Sequence, residues 1–212
     1  MEIIKTAIEG LVVLQPKVIK DQRGYFMESY KESFIKEHFP EVQFIQDNES
    51  KSSYGVIRGL HFQKPPFAQT KLVRVIEGEV LDVAVDLRKG SATFGKSEAI
   101  LLSAENKKQV FIPKGFAHGF AVLSDYAIFS YKVDHLYSPE HDTGIYYADE
   151  QLNIDWLIPI ADRIVSEKDK KLQPLSKMTD YGTVLEGNEK KAIDEFGEYT
   201  NYLPEIHNNP LK

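Results

Sequence analysis

The sequence contains no cysteine, and this absence excludes disulfide bonds and thiol chemistry. Its N-terminus has no apolar run of the kind found in signal peptides, and no later stretch is apolar enough to cross a bilayer. We therefore expect a cytoplasmic protein that does not bind membranes. No stretch is dense in lysine and arginine, and the formal net charge is -6, which argues against nucleic-acid binding. A Gly-rich dinucleotide fingerprint is also missing, so no nicotinamide cofactor is expected.

What the sequence does contain is typical of one globular domain. The 212 residues are enough for a full core, and 42% hydrophobic with 27% charged residues is an ordinary balance. Residues 54–133 have β character throughout, and in residues 79–87 two interleaved sets alternate as they do in a strand. Many short strands without a parallel β-α-β rhythm predict an all-β barrel with a short helix. Within this region, strands are predicted at residues 71–76, 79–87, 97–102, 109–112, 119–122 and 127–133.

The part of the chain before residue 54 adds shorter predicted elements. Proline, glycine and asparagine separate short apolar runs there, and one stretch has the apolar stripe of a helix. We predict β-prone runs at residues 2–8 and 11–19, a turn at residues 21–24 and a strand at residues 25–28. A helix at residues 31–39, a second short strand at residues 42–45 and a polar loop at residues 46–50 follow.

The most informative stretch is residues 57–63, Ile-Arg-Gly-Leu-His-Phe-Gln. It places Arg58 and His61 on either side of Gly59 among good strand residues, and a glycine there permits a β-bulge or a close backbone approach. A polar side chain in such a strand must point to solvent or into a polar cavity, because burying it unpaired is costly. A partly buried structural histidine is the ordinary reading of His61 taken alone.

One functional reading is a metal-dependent cupin enzyme. The run Pro113-Lys-Gly-Phe-Ala-His118-Gly matches the second half of a cupin motif. The corresponding first half should carry a His-x-His pair and a glutamate, but the chain has Leu60-His61-Phe62-Gln63 at that place. Two histidines are too few for a firm metal site. The metal reading stays open.

A second reading needs no metal. His61 can act as a general base if a carboxylate such as Asp169 holds its other ring nitrogen. Lys71 can stabilise an oxyanion, and Tyr131 or Tyr137 can return a proton from the opposite side. Removal and inverted return of a proton beside a ketone requires this set of groups. A third reading, a non-catalytic sugar-binding barrel, would keep the arginine and the tyrosines but would not need a His–Asp pair.

Several blocks together resemble the dTDP-4-dehydrorhamnose 3,5-epimerase family. The similarity extends from the N-terminus to about Pro174, and the blocks occur in the family's order. They are Gly-Val-Ile-Arg58-Gly-Leu-His61-Phe-Gln, Gln69-Thr-Lys71-Leu-Val-Arg-Val, Phe111-Ile-Pro-Lys-Gly-Phe-Ala-His118-Gly-Phe, Tyr131-Lys-Val-Asp-His-Leu-Tyr137-Ser-Pro-Glu140, and Ile154-Asp-Trp156 with Ser166-Glu-Lys-Asp169.

The resemblance implies a fold, a reaction and a set of site residues. The fold would be a mainly β, cupin-type jelly-roll barrel with a few short helices and no metal. The reaction would be epimerisation at C3 and C5 of dTDP-4-dehydro-6-deoxy-D-glucose to dTDP-4-dehydro-L-rhamnose, without a cofactor. His61 would be the base, Asp169 its partner, Tyr131 the proton donor and Lys71 the residue near the C4 oxygen. Substrate contacts would come from Arg23, Glu28, Gln46, Asp47, Asn48, Arg58, His118, Tyr137, Asp142 and Lys168.

The resemblance also implies a homodimer with exchanged N-terminal strands, in which Arg23 can serve the partner's site. Three features depart from the family pattern: Asp142 stands where many members have glutamate, Asp134-His135-Leu136 replaces a more usual stretch, and the tail is long. Relatives of this fold epimerise one carbon or act on other nucleotide 4-keto sugars, so a mono-epimerase remains an alternative. We divide the chain into an epimerase domain, residues 1–176, and an extension of unknown role, residues 177–212, with an amphipathic helix candidate at residues 189–196.

Overall fold

The computed structural model describes residues 1–178. Nearly all of the extension predicted from residue 177 onward, including the helix candidate at residues 189–196, therefore lies outside the described residues. The division into a domain and an extension stays a prediction. Within residues 1–178, no helix combines the length and the apolar character that crossing a membrane requires. The cytoplasmic location also stays a prediction.

The described chain is built mainly from short strands. Its single α-helix, α1, is Glu32–His38, and three 3-10 helices follow late in the chain at Ile160–Asp162, Asp169–Lys171 and Leu175–Lys177. The strands are β1 (Glu2–Lys5), β2 (Val12–Gln15), β3 (Val18–Asp21), β4 (Gly24–Met27), β5 (Gln46–Ser53), β6 (Val56–Gln63), β7 (Lys71–Glu77), β8 (Glu79–Asp86), β9 (Ser97–Ser103), β10 (Gln109–Ile112), β11 (Phe116–Val122), β12 (Tyr126–Val133), β13 (Asp142–Gly144) and β14 (Ile164–Val165).

The strands form two six-stranded sheets and a separate β3–β4 hairpin. The first sheet has the order β1-β2-β10-β7-β12-β5, and the second has the order β13-β6-β11-β8-β9, with β14 pairing in parallel with β6. Most neighbours are not consecutive in the chain, and all other pairs are antiparallel. The predicted mainly β jelly roll with few helices is confirmed.

Three apolar clusters explain why some strands are buried on both faces. One fills the space between the sheets and includes Val73 and Phe129 of the first sheet with Ala84 of the second. A second lies on the outer face of the second sheet, beneath the late segment that contributes Trp156. The third lies under α1 on the outer face of the first sheet. β8 is therefore buried almost along its whole length, and its two alternating sets face two different cores.

The predicted strand at residues 42–45 and the predicted loop at residues 46–50 are both wrong. Residues 42–45 have no regular structure, whereas β5 begins at Gln46 and pairs with β12 along all eight of its residues. β5 is a polar edge strand, and its alternate side chains face a polar cavity or the outside of the sheet. Tertiary pairing therefore overrides the low strand propensity of Asp, Asn and Ser.

Candidate active site

A cavity of about 510 Å³ lies inside the sandwich, between the two sheets. Side chains from β5, β6, β7, β11 and β12 line it, and residues 164–169 close one side. Seven of the residues predicted from the sequence to do chemistry or bind substrate line this one space: Arg58, His61, Lys71, His118, Tyr131, Lys168 and Asp169.

A bulge in β6 delivers two of these side chains to the same face. His61 is the partner of His118 across the β6–β11 pair, but Arg58 is the partner of Phe120, so the register shifts between them. Two residues of β6 therefore oppose one residue of β11. Gly59 has φ +123°, and a Cβ there would lie 2.5 Å from the Cα of Gly119. The predicted bulge and close backbone approach at Gly59 are confirmed, and they explain why Arg58 and His61, three residues apart, both enter the cavity.

His61 and Asp169 form a buried, directional pair. The Nε2 of His61 lies 2.7 Å from Oδ1 of Asp169, whose side chain is 4% exposed. The backbone N–H of Gly59 also donates to Oδ2 of Asp169 at 3.3 Å, and the Asp169 N–H donates to the Ser166 hydroxyl at 3.0 Å. Burial alone would raise the pKa of Asp169, but the contacts with His61, Gly59 and Ser166 outweigh it and hold that pKa below its usual value. Asp169 is therefore an ionised acceptor.

This geometry determines what the His61 ring can do. An ionised carboxylate only accepts hydrogen bonds, so the hydrogen of neutral His61 lies on Nε2. The lone pair is then on Nδ1, which is the atom that can take a proton. Because the ring side chain remains 31% exposed in the cavity, a bound molecule can reach it. The arrangement suits a general base held in one tautomer.

Lys71 and Tyr131 enter the cavity from the other sheet. They lie on β7 and β12, whereas His61 lies on β6 of the facing sheet. Burial lowers the pKa of Lys71 to about 8, although Asp142 and Asp82 act in the opposite direction. Burial also raises the pKa of Tyr131, so its hydroxyl keeps its proton at neutral pH. A group that can accept a proton and a group that can donate one therefore line the cavity from opposite sheets, with a cation in the same space.

A second His–Asp pair was not predicted from the sequence. The Nε2 of His118 lies 2.7 Å from Oδ2 of Asp82, a β8 residue that is 1% exposed. Burial lowers the pKa of His118, and the charge of Asp82 only partly opposes this effect. The available signal was an aspartate in an otherwise apolar strand, but nothing in the sequence connects it with a histidine 36 residues away.

Three predicted binding residues meet in one polar contact. The Tyr137 hydroxyl donates to Oδ2 of Asp142 at 3.2 Å, and Lys168 forms a salt bridge with the same oxygen. The hydrogen bond to Asp142 raises the pKa of Lys168. Tyr137 is 57% exposed, and its loop is held by Gln63, which the sequence reading did not single out. Gln63 donates to the carbonyl of Leu136 and accepts from the Ser138 N–H.

The remaining predicted contacts divide between the two faces of β5 and the β3–β4 hairpin. Gln46 donates to Asn48 at 2.8 Å, and Asn48 pairs with Tyr131, so both side chains lie on the face of β5 that is turned towards the cavity, but neither of them lines it. The Asp47 side chain points the other way and pairs with Lys132 at 2.7 Å, outside the cavity. Arg23 pairs with Asp21 on the hairpin, and Glu28 lines a separate pocket beside α1. Within one chain, the structure does not bring Arg23, Glu28 or Asp47 to the cavity.

The described residues contain no group of three or more His, Asp or Glu side chains placed to hold a metal ion. His61 and His118, the two ligands that the metal reading needs, each use Nε2 to contact an aspartate. The donor set of the cavity therefore does not fit a cupin metal centre.

Known proteins with similar sequences and structures belong to one family. The dTDP-4-dehydrorhamnose 3,5-epimerase model matches residues 5–177. The dTDP-4-dehydrorhamnose 3,5-epimerase of Methanothermobacter thermautotrophicus is 53% identical over 173 residues, which is 81% of this chain and 93% of that protein. The Escherichia coli K12 protein of the same name is 51% identical over 181 residues, or 84% and 96% of the two chains.

A solved structure adds a bound ligand to the comparison. The dTDP-6-deoxy-D-glucose-3,5-epimerase of Legionella pneumophila, solved in complex with dTDP-4-keto-L-rhamnose, is 47% identical and superposes with a TM-score of 0.80. The match covers 84% of this chain and 94% of that chain. The described residues therefore share their fold with a protein that was solved with a nucleotide sugar bound.

Proposed function

Because this chain belongs to the dTDP-4-dehydrorhamnose 3,5-epimerase family, we propose that it converts dTDP-4-dehydro-6-deoxy-D-glucose into dTDP-4-dehydro-L-rhamnose. The enzyme is an isomerase that acts in dTDP-rhamnose biosynthesis. The single observation that supports this most directly is the His61–Asp169 pair, which faces Tyr131 across a cavity that also holds Lys71. Those groups are what an inversion beside a ketone requires.

The chemistry begins with the acidity of a carbon next to C4. Nδ1 of His61 removes the proton from C5 or C3, and the electron pair of the broken C–H bond moves into the ketone to give an enolate. The imidazolium that forms is stabilised by the charge of Asp169. The ammonium group of Lys71 stabilises the enolate oxygen. Tyr131 then donates its phenol proton to the opposite face of the carbon as the enolate returns to the ketone. Solvent takes the proton from His61 and returns one to Tyr131, and repetition at the second carbon gives the L-sugar.

The substrate would be held by residues around this reacting centre. Arg58 suits the diphosphate, because a planar guanidinium matches pairs of phosphate oxygens. Its Nε donates to the Ser52 hydroxyl at 3.1 Å, which leaves the terminal nitrogens for phosphate. Tyr137, exposed beside Asp142 and Lys168, would stack on the thymine ring. His118, Gln46 and Asn48 complete the set of contacts within the chain.

Solvent deuterium incorporation tests the proposed reaction. The protein is incubated in D2O with dTDP-4-dehydro-6-deoxy-D-glucose and no added metal or cofactor, and the product is examined by mass spectrometry and NMR. Label at both C3 and C5 is expected. Label at one carbon only would support the mono-epimerase alternative. No label with any nucleotide 4-keto sugar would overturn the proposal in favour of a sugar-binding barrel or a metal-dependent enzyme.

We infer, in addition, that two copies form a dimer in which the β3–β4 hairpin reaches the partner's cavity. Arg23 and Glu28 lie outside the cavity of their own chain. The hairpin also exposes three large apolar side chains, Ile19, Tyr25 and Phe26, and Phe26 is 67% exposed. A second copy that covers them would bury this apolar surface.

Complementation between two inactive variants tests this arrangement. Arg23→Ala and His61→Asn are purified separately, mixed under conditions that exchange subunits, and assayed. If Arg23 serves the partner's site, each mixed dimer has one cavity with both native residues, and we expect activity to rise well above that of either variant. Activity that stays at the level of the separate variants, although mass spectrometry detects mixed dimers, would contradict the exchange.

A further inference from the structure

Asp82 is a carboxylate in an unusual place. It lies in the middle of β8, is 1% exposed, and has buried apolar neighbours in the chain at Leu81 and Val83. One of its oxygens, Oδ2, accepts the Nε2–H of His118 at 2.7 Å. The other, Oδ1, is buried and has no hydrogen-bond partner among the described residues. Burial of an ionised carboxylate in such surroundings is costly unless a nearby positive charge compensates it.

Lys71 supplies the positive charge that compensates the Asp82 carboxylate. It lines, from the facing sheet, the cavity that His118 also lines, and His118 is the hydrogen-bond partner of Asp82. The charge of Asp82 raises the pKa of the Lys71 ammonium group against the larger effect of burial. Further charged or titratable groups face Lys71 from the surrounding elements. They are Glu49 on β5, Arg58 and His61 on β6, His118 on β11, Tyr131 on β12, Asp142 on β13, and Lys168 and Asp169 in the segment that closes the cavity. Of these, only Asp142 adds a second negative charge that acts on Lys71.

We propose that Asp82 is a positioning residue that keeps Lys71 protonated and fixes His118 with its hydrogen on Nε2, so that Nδ1 accepts a hydrogen bond from a sugar hydroxyl. The part of this inference that concerns the sugar rests on the proposed function. The part about Lys71 describes the substrate-free protein and does not depend on which substrate the enzyme uses.

The inference about His118 uses the same kind of hydrogen bond that orients His61, with Asp82 in the place of Asp169. A carboxylate acceptor places the hydrogen of a neutral imidazole on the nitrogen that faces it. Burial favours the neutral form of His118, because it lowers the pKa of the ring. Nδ1 therefore presents a lone pair to the cavity. It can recognise a hydroxyl group next to the ketone, whereas it cannot donate to the enolate oxygen, which leaves that task to Lys71.

The charge state of Lys71 determines the direction of a pH effect on the reaction. The charged ammonium is the form that stabilises an enolate, and it is lost as the pH rises through the Lys71 pKa, about 8. Asp82 acts to raise that pKa. Asp82→Asn keeps an oxygen acceptor for His118 but removes the charge, so the Lys71 pKa must fall. The charged fraction at neutral pH then falls with it.

NMR titration of the substrate-free protein is the first test. Lysine is labelled with 13C at Cε, and the Lys71 signal is assigned by its loss in Lys71→Met. We expect a midpoint near 8 in the native protein and a midpoint lower by on the order of one pH unit in Asp82→Asn. Asp86→Asn is the matched control, since Asp86 is also a buried β8 carboxylate but binds Arg88, Ser91 and Thr93 instead. Equal midpoints in the native protein and Asp82→Asn would overturn the Lys71 part.

The 15N shifts of the His118 ring in the native protein test the other part without any variant. A neutral ring with its hydrogen on Nε2 at pH 7 is expected, and the opposite tautomer or an imidazolium would overturn it. If Asp82→Asn does not fold, this measurement still decides the His118 part, and Asp82→Ala takes the place of Asp82→Asn in the lysine titration. Both NMR readouts stand even if the deuterium experiment finds no turnover. If turnover is found, the alkaline limb of kcat/KM should move to lower pH in Asp82→Asn and stay in place in Asp86→Asn.

Discussion

The His61→Asn variant is expected to lose about 1,000-fold in kcat and to stop incorporating solvent deuterium into the sugar. The reason is that His61 carries the only lone pair that Asp169 orients towards the cavity, and a positioned general base contributes about 100- to 10,000-fold. Asparagine is smaller than histidine and stays polar, so it fits the site, although its amide nitrogen takes the place of Nδ1 and does not reach Asp169. The loss should therefore report on proton transfer and not on the fold. Rates are measured by the appearance of deuterated product.

Binding and a control variant separate this effect from structural damage. His61→Asn should bind dTDP with nearly the native Kd, measured by calorimetry, because the proposed diphosphate and base contacts do not include His61. His38→Asn replaces an exposed histidine on α1 whose ring contacts only the local Phe34 carbonyl and neighbouring aromatic rings, and it should keep native turnover. Deuterium uptake at the native rate in His61→Asn would show that another group is the base.

Lys71 is the second residue from which a large effect is expected. Lys71→Met should lower kcat/KM by about 100- to 1,000-fold, the usual cost of removing one group that stabilises an oxyanion. Methionine has a similar length and no charge, so the cavity remains filled. Lys51→Met, on the outer face of β5 over the Tyr126 ring, is the matched lysine control and should retain native kcat/KM.

The native enzyme should also show the ionisation of Lys71 in its pH profile. Burial places the pKa of Lys71 at about 8, so the protonated form is present below that pH and is lost above it. We therefore expect kcat/KM, which reports the free enzyme, to fall as the pH rises through about 8. A profile that stays flat to pH 10, or a Lys71→Met variant with native kcat/KM, would rule out a charged Lys71 as the oxyanion stabiliser.

Strand alternation made part of this site predictable. The motif around Gly59 was interpretable because a glycine between an arginine and a histidine in a strand has few structural explanations. The core strands β7, β8 and β10 were placed correctly, since they are dense in valine, leucine, isoleucine and phenylalanine. The pairing of His61 with Asp169, 108 residues apart, was available only through the resemblance to a family, because single-sequence patterns do not carry contacts at that separation.

The missed strand at residues 46–50 has a physical cause. Residues 46–50 were read as a loop because Gln, Asp, Asn and Ser have low strand propensity, and the alternation rule was therefore not applied to them. Applied to β5, that rule separates Asp47 from Gln46 and Asn48 and sends its side chain out of the cavity. The contact of Asp82 with His118 was missed for a different reason. Its strand was recognised, but a lone aspartate among apolar residues does not reveal which side chain across the sheet it contacts.

The proposed base, His61, and the proposed acid, Tyr131, lie on facing sheets, and this has a consequence for distant mutations. Sheets that pack face to face lie about 10 Å apart, and the side chains between them determine that spacing. Phe129 and Phe120, stacked with ring centroids 4.2 Å apart, belong to the two different sheets. A smaller side chain at either position would let the sheets approach, and the gap that a sugar ring must fill would narrow. The thickness of the core therefore determines the separation between the group proposed to remove a proton from one face of the sugar and the group proposed to return one to the other face.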